Sequence, residues 1–296
     1  MDIKNYLLSK KEMIERFLGS YLPMEDEYPH EIYKSMRYSL FAGGKRLRPI
    51  LSLASYETIE DDSSSILPIA CAIELIHTYS LIHDDLPPID NDNLRRGKPT
   101  NHKVFGEAIA ILTGDALLTI AFSMMTADDC IKKFNHKLLL QVIREISIAA
   151  GDRGMVGGQV VDIISEGKEI DFKTLEYIHK NKTGALIKAS VRVGGILANA
   201  GDEELRRMTI YGENVGLAFQ ITDDILDIEG TKEDLGKDTG MDSAKEKNTY
   251  PGLIGIKESK KKVKELIESA IEAIMIFKER ADPLKEIAQS IIRRKN

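Results

Sequence analysis

The chain has 296 residues, of which 43% are hydrophobic and 30% charged, and its formal net charge is −6 at pH 7. This composition is typical of a globular protein with a large core and excludes a disordered or collagen-like chain. A net acidic chain has no general attraction to nucleic acid or anionic lipid, so we expect neither as a partner. The two cysteines, Cys71 and Cys130, are too few for a disulfide framework, which favours a reducing, cytoplasmic location.

The first twenty residues mix charged and apolar side chains in an amphipathic pattern, unlike a signal peptide. The most apolar stretch runs from 108 to 125, but Gly114 and Asp115 interrupt it. An aspartate at the centre of a bilayer costs about 2.5 kcal/mol or more. We therefore expect this stretch to form a buried core helix, and we expect no membrane span.

Apolar residues recur at helical spacing along most of the chain, whereas strand signals are poor and no Asn-Gly or Asp-Gly hairpin turn occurs. The absence of proline between Pro99 and Pro251 makes long helices possible there. The pattern predicts one all-α domain over residues 1–296. Two gaps between the predicted helices stand out, at 86–101 and 230–256, and the second is too long for a connection without a function. The predicted helices are 2–18, 30–42, 48–60, 66–85, 102–127, 135–150, 172–199, 202–229, 259–279 and 283–293.

Two aspartate clusters lie in otherwise apolar helices, HDDLPPID at 83–90 and TDDILD at 222–227. In the second, Asp223 and Asp227 are four residues apart on one helix face, where like charges repel unless a cation binds. In the first, two prolines end the helix, so Asp90 must return towards it from a loop. Such carboxylates suit Mg²⁺, which one or two carboxylates typically hold together with substrate phosphate. We therefore predict a shared metal site.

Basic segments accompany the carboxylates: GGKRLRP at 43–49, LRRG at 94–97, KTG at 182–184 and GKD at 236–238. Arginine forks and lysine point charges are the donors that phosphate oxygens need. Each segment alone is typical of a solvated surface. Carboxylates for a metal beside cations for phosphate, however, form a coherent site for a phosphorylated anion.

At these residues the chain resembles the trans-isoprenyl diphosphate synthases, and within them the bacterial farnesyl diphosphate synthases. The resemblance covers nearly the whole chain and implies an all-helical bundle of about ten or more helices around a deep central cavity, usually a homodimer. The matching segments are GGKRLRP at 43–49, HTYSLIHDDLPPIDNDNLRRGKPTNH at 77–102, GGQVVDI at 157–163, KTGAL at 182–186, FQITDDILD at 219–227 and LGKDTGMD at 235–242.

The resemblance also implies an activity in isoprenoid biosynthesis. Isopentenyl diphosphate would condense with dimethylallyl or geranyl diphosphate to give (2E,6E)-farnesyl diphosphate, by ionisation, condensation and elimination. Three Mg²⁺ per active site are expected, with Mn²⁺ able to substitute. Cations would stabilise the charge that develops on the departing diphosphate, and apolar helix faces would exclude the water that captures an allylic cation.

The family's residue roles transfer by position as implications of the resemblance. The expected metal ligands are Asp84, Asp85, Asp90, Asp223, Asp224 and Asp227. Isopentenyl diphosphate would bind Gly44, Lys45, Arg48, His77 and Arg96. The allylic substrate would bind Arg95, Lys182, Thr183, Gln220 and Lys237, with Thr183 and Gln220 lining the reacting allyl group. The expected catalytic set is Asp84, Asp85, Asp90, Lys182, Thr183, Gln220, Asp223 and Lys237.

Product length should depend on how deep the cavity runs. Tyr79 lies five residues before Asp84, about 7.5 Å along a helix. The resemblance implies a bulky floor at Tyr79, next to Ser80, in enzymes that stop at fifteen carbons. An ordinary core tyrosine is the competing interpretation.

Other interpretations of the sequence stay open. On the same scaffold, the product could be geranyl or geranylgeranyl diphosphate. A class I terpene cyclase shares the first aspartate motif but usually replaces the second, and a non-catalytic subunit would typically lose one cluster. A remote alternative is a di-iron carboxylate bundle, because two Glu-x-x-His pairs occur. Its formal ligands are Glu74 with His77, Glu176 with His179, Glu31 and Glu145.

Overall fold

The computed structural model describes residues 2–229 and 248–293. Helices account for nearly all regular structure in these residues, so the predicted all-α fold is confirmed. The first eight α-helices, labelled α1 to α8, are Ile3–Tyr21, His30–Leu40, Leu47–Tyr56, Leu67–Asp84, Asn101–Phe105, Glu107–Met125, Asp128–Lys133 and His136–Ala150. The next seven, α9 to α15, are Met155–Ser165, Phe172–Ile178, Ala185–Leu197, Asp202–Glu229, Tyr250–Ile254, Ile256–Ala273 and Asp282–Ile292.

Three long predicted helices are interrupted in the structure. The predicted helix 102–127 divides at Gly106, whose φ of +84° lies in the left-handed region and ends α5. The predicted helix 172–199 contains a π-helix, His179–Gly184, between α10 and α11. The predicted helix 259–279 ends at Ala273 and continues as a 3₁₀ segment. Helical periodicity survives such local changes of winding, so it did not reveal these breaks.

The predicted gap 86–101 contains a small antiparallel hairpin, with β1 at Leu94–Arg95 and β2 at Lys98–Pro99. Its two turn residues, Arg96 and Gly97, both have positive φ, at 54° and 75°. A two-residue hairpin turn of the I′ type requires this conformation and usually contains Asn-Gly. An arginine in the first position explains why the sequence pattern did not predict the hairpin.

Helix α4 forms the centre of the core, and its residues from Ile69 to Ile76 are all buried. A helix that is apolar on every side is stable only when surrounded by other elements. Helix α4 packs on α6 and α3, while α11 packs between α3, α8 and α12, and α14 covers α12. One hydrophobic cluster extends through the core from Ile14 to Ile291. Both aspartate clusters therefore lie at the ends of helices that the core holds firmly.

Two helical stretches, Ser63–Asp84 and Glu107–Lys133, are long and apolar enough to cross a membrane by length and composition alone. Core helices of soluble proteins have the same properties, so this is weak evidence for a span. In the first stretch 67% of the apolar window is buried inside the protein, as expected for a core helix. In the second only 39% is buried, which leaves an apolar face of α6 uncovered.

Candidate active site

The first aspartate cluster lies where α4 ends. Asp84 is the last residue of the helix, and the loop after it returns so that the Asp90 N–H donates to the Asp84 carbonyl over 2.8 Å. Asp85 is buried, and its two carboxylate oxygens accept from the Arg95 Nε over 2.7 and 2.9 Å. The hairpin thus brings a cation onto the cluster, and Asp90 approaches Asp84 as predicted.

Asp84 faces a lysine from a distant part of the chain. Burial raises the pKa of the Asp84 carboxyl to about 6, while the positive charge of Lys182 opposes that rise. Lys182 belongs to the π-helix, and its Nζ donates to Asp162 Oδ2 over 2.7 Å. Two predicted site residues almost a hundred positions apart therefore share one electrostatic environment.

The second aspartate cluster is on α12. Asp224 and Asp227 are buried, with 3% and 4% of their surface exposed, so these two carboxylates do not lie on a solvated face. Asp224 Oδ2 accepts from the Tyr250 backbone N–H over 3.0 Å and lies 3.5 Å from His179 Nε2. Asp223 lies close enough to Arg48 for its charge to favour the protonated form of that arginine, which raises the arginine's pKa.

Thr183 and Gln220, predicted to line the allyl group, are hydrogen-bonded to each other. The Thr183 hydroxyl donates to Gln220 Oε1 over 2.7 Å, and Gln220 Nε2 donates to Asp224 Oδ1 over 3.2 Å. A continuous hydrogen-bond chain therefore connects the π-helix to the second aspartate cluster.

Several cations converge on His77, the predicted ligand of isopentenyl diphosphate. Burial lowers the pKa of His77 well below its ordinary value, and the charges of Arg48, Arg96 and Arg95 lower it further. Burial also lowers the pKa of Arg48 to about 10, and the buried Nε of Arg48 has no hydrogen-bond partner. Buried guanidinium groups need a counter-charge, because an unpaired buried donor is costly. The pocket is suited to an anion with several oxygens.

Gly44 completes the basic pocket by letting the hairpin approach. The Arg96 guanidinium donates to the Gly43 carbonyl, and a Cβ on Gly44 would lie 2.6 Å from Arg96 Nη1. Lys45, next in sequence, is exposed. The predicted ligand Lys237 lies outside the described residues, as do Gly236 and Asp238 beside it.

Glu74 has a structural partner of its own. Its Oε1 accepts from Arg46 Nη1 over 2.9 Å, and both side chains are almost completely buried. The other carboxylates of the di-iron alternative are also engaged or exposed. Glu145 pairs with Arg192 and Glu176 with Lys180, while Glu31 is on the surface. These pairings speak against a di-iron centre.

No group of three or more His, Cys, Asp or Glu side chains is arranged to hold a metal ion by itself in the part of the chain that the structure describes. The donor set of the candidate site fits Mg²⁺, because the candidate ligands are all carboxylates and Mg²⁺ is typically bound by one or two carboxylates together with waters and substrate phosphate.

Tyr79 is buried on α4, and its ring packs edge-on against His83 at 5.7 Å between centroids. Burial raises the pKa of the Tyr79 hydroxyl, and the nearby charge of Asp84 adds to the rise. Ser80 is half-buried, with its hydroxyl donating to the His77 carbonyl over 2.9 Å. Tyr79 therefore lies within electrostatic reach of the first aspartate cluster.

A separate cavity of about 550 Å³ opens beside the π-helix and contains neither aspartate cluster. Most of its charged lining residues pair with one another, as Lys188 does with Glu213 and Lys180 with Glu176. We therefore do not assign the phosphate chemistry to it.

Sequence reasoning did not identify Asp162 or Tyr250 as site residues, and it named His179 only as a formal ligand of the di-iron alternative. His179 is buried and stacks on the Tyr250 ring at 5.2 Å, and burial lowers its pKa to about 3. Asp162 lies within the quoted segment GGQVVDI, four residues after Gly158 and on the same helix face. That spacing was the available signal for Asp162. No sequence pattern indicated that His179 and Tyr250 lie together, because 71 residues separate them in sequence.

The chain and its fold match known proteins. The polyprenyl synthetase family model matches residues 29–287. Geranylgeranyl diphosphate synthase of Cyanophora paradoxa is 47% identical over 296 residues, covering 100% of this chain and 97% of that protein. Farnesyl diphosphate synthase of Geobacillus stearothermophilus is 47% identical over 270 residues, covering 91% and 90%. The crystal structure of an FPP/GFPP synthase from Zymomonas mobilis matches with a TM-score of 0.88 at 34% identity, covering 98% of this chain and 99% of that one.

The similarity to these relatives extends over nearly the whole chain, and the similarity to the solved structure shows the same all-helical fold. The chain belongs to the polyprenyl synthetase family. It is a prenyltransferase of isoprenoid biosynthesis with the all-α fold of that family.

Proposed function

We propose that this prenyltransferase condenses isopentenyl diphosphate with dimethylallyl and geranyl diphosphates to form farnesyl diphosphate. The observation that carries the proposal is the convergence of Arg48, Arg95 and Arg96 on His77, close to the carboxylates. Such a pocket suits a diphosphate, because arginine forks bind its oxygens bidentately. The carboxylates beside it suit the metal that accompanies a second diphosphate.

We assign Mg²⁺ to Asp84, Asp90 and Asp223, with Asp85, Asp224 and Asp227 in support. When bound, Mg²⁺ supplies positive charge that stabilises the leaving diphosphate. The raised pKa of Asp84 supports this assignment, since a buried carboxylate without a cation is costly to ionise.

Other residues of the chain bind the two substrates and line the allylic cation. Lys182 and Arg95 bind the allylic diphosphate, while Lys45, Arg48 and His77 bind isopentenyl diphosphate. The allylic carbon–oxygen bond breaks and its electron pair leaves with diphosphate. The double bond of isopentenyl diphosphate then forms the new carbon–carbon bond to the allylic cation. A proton leaves to restore the double bond, with diphosphate as the base, so no enzyme nucleophile is needed. Thr183 and Gln220 line the cation.

A twenty-carbon product is the second candidate. The observation that favours it is the 47% identity over the whole chain to a relative named geranylgeranyl diphosphate synthase. Against it stands the buried Tyr79, whose bulk near Asp84 would end the cavity at fifteen carbons.

We further propose that the chain is one domain and acts as a cytoplasmic homodimer. The continuous hydrophobic cluster supports one domain. The uncovered apolar side chains on α6, Ile111 and Leu112, support an interface, because exposed apolar patches mark contact sites. The thiols of Cys71 and Cys130 are both buried and free, which suits a reducing compartment.

The test incubates the purified full chain with Mg²⁺, isopentenyl diphosphate and either dimethylallyl or geranyl diphosphate, and then sizes the dephosphorylated products. We expect a fifteen-carbon alcohol, and none when EDTA replaces Mg²⁺. A predominantly twenty-carbon alcohol would favour the second candidate. No chain elongation with saturating metal would refute the proposed function.

A further inference from the structure

In the hydrogen-bond chain between the π-helix and α12, the donor and the acceptor are fixed at the end that contacts Tyr250. The backbone N–H of Tyr250 can only donate, so Asp224 Oδ2 must accept at that point. The other carboxylate oxygen, Oδ1, accepts from Gln220 Nε2 over 3.2 Å. Gln220 must therefore present its NH₂ group to Asp224.

The orientation of the Gln220 amide then fixes which group donates in its hydrogen bond with Thr183. With its NH₂ group committed to Asp224, Gln220 can offer only its carbonyl oxygen to the Thr183 hydroxyl. Thr183 must then donate its single hydrogen to Gln220, over 2.7 Å. The two lone pairs of the hydroxyl take no part in that bond, and Thr183 is half-buried next to Lys182, whose charge acts on Asp84.

We infer that Asp224 is a positioning residue, which sets the polarity of the Thr183 hydroxyl rather than serving as a metal ligand. The inference rests on the proposed function, in which Thr183 lines the allylic cation. Lone pairs directed at a developing positive charge stabilise it, whereas a hydroxyl hydrogen turned the same way opposes it.

The surroundings of Asp224 favour this role over metal binding. It is 97% buried, and the Gln220 amide, the Tyr250 N–H and the His179 ring all approach its two oxygens. Mg²⁺ retains several waters in its coordination shell, so it suits carboxylates at the edge of a cavity. The neighbouring Asp223 is less buried and fits that description better.

The experiment compares Asp224→Asn with Asp223→Asn, an identical change one residue away. Mg²⁺ affinity is measured calorimetrically in the presence of inorganic diphosphate, and kcat and KM are measured with geranyl and isopentenyl diphosphates. We expect Asp224→Asn to lower kcat about 10- to 100-fold, with KM and Mg²⁺ affinity within about twofold of wild type. Asp223→Asn should weaken Mg²⁺ binding at least about 10-fold.

A double-mutant cycle tests whether the effect passes through Thr183. Thr183→Val removes the hydroxyl at nearly constant volume, so adding Asp224→Asn should lower kcat no further. If Asp224→Asn fails to fold, Asp224→Ser removes the same carboxylate and should likewise lower kcat no further in the Thr183→Val background. The inference would be overturned if the two substitutions lowered kcat by independent factors that multiply in the double mutant. It would also be overturned if Asp224→Asn weakened Mg²⁺ binding. An inactive wild type would instead refute the proposed function.

Discussion

The carboxyl of Asp84 destabilises the metal-free protein, because burial raises its pKa from an ordinary value of 3.8 to about 6. The folded protein then binds the proton more tightly than the unfolded chain does. The free energy of unfolding therefore falls as the pH rises from about 4 through 6, and the loss is complete at pH 8.

We predict that Asp84→Asn stabilises the metal-free protein at pH 8 by about 1 to 3 kcal/mol and abolishes turnover. The gain should vanish at pH 4, where the wild-type carboxyl is protonated in the folded state. Urea unfolding in EDTA at pH 4 and pH 8 measures the difference in the free energy of unfolding between the variant and the wild type. Equal gains at pH 4 and pH 8 would show that the charge of Asp84 is not the cause.

Tyr79 is the residue on which product length should depend. Its ring is buried beside His83 and near Asp84, so its removal opens space along the apolar side of α4. We predict that Tyr79→Ala lengthens the main product to twenty carbons or more, measured by chromatography of the dephosphorylated alcohols.

Tyr79→Phe is the matched control, since it keeps the ring and removes only the hydroxyl. It should leave the product length of the wild type unchanged. An unaltered product profile in Tyr79→Ala would make Tyr79 an ordinary core residue.

At the scale of elements, the π-helix is held between α9 and α12 by very close backbone approaches. A Cβ added to Gly158 of α9 would lie 2.2 Å from the Lys182 nitrogen, and one added to Gly216 of α12 would lie 2.8 Å from the Gly184 Cα. Distances below 3.0 Å are not tolerated without movement of the backbone. The positions of Lys182 and Thr183 thus depend on two glycines in other helices.

We predict that Gly158→Ala lowers kcat by about 10-fold or more, because small displacements of positioned groups are costly to rate. It should also lower the free energy of unfolding by about 1 to 3 kcal/mol, the usual effect of overpacking. Steady-state kinetics and urea unfolding provide the two measurements.

Gly19→Ala is the control for an added methyl group in a helix, since its Cβ would lie in ordinary contact, 4.0 Å from Phe41 Cζ. This variant should retain wild-type kcat and gain about 0.5 to 1 kcal/mol. Wild-type kinetics in Gly158→Ala would contradict the role given to the π-helix contact.

At the scale of the whole molecule, α6 leaves apolar side chains uncovered while its opposite face packs on α4. Leu112 is 55% exposed there, beside Ile111 at 45%. We predict that Leu112→Glu converts a dimer into a monomer in sedimentation velocity, because an interface would desolvate the new charge.

Leu8→Glu is the matched control, because Leu8 on α1 is 54% exposed and lies on a different helix. That variant should sediment as a dimer like the wild type. A dimeric Leu112→Glu would exclude this face of α6 as the interface.

Local patterns were sufficient for much of the fold and the chemistry. Helices could be predicted from apolar spacing, and both aspartate clusters from contiguous motifs, because each pattern depends on neighbours within a few residues. The breaks at Gly106 and at the π-helix could not be predicted in this way, since they change the winding of the helix without changing the apolar spacing.

Only the tertiary structure decided which charged groups are partners. Arg46 lies in a basic motif but pairs with Glu74, and the Asp224 carboxylate is engaged by Tyr250, 26 residues further along the chain. Such pairings arise when the packing of distant helices excludes water and each buried polar group must find a partner inside the protein. The types of chemical group in the protein therefore follow from its sequence alone, whereas their pairing follows from the packing of the helices.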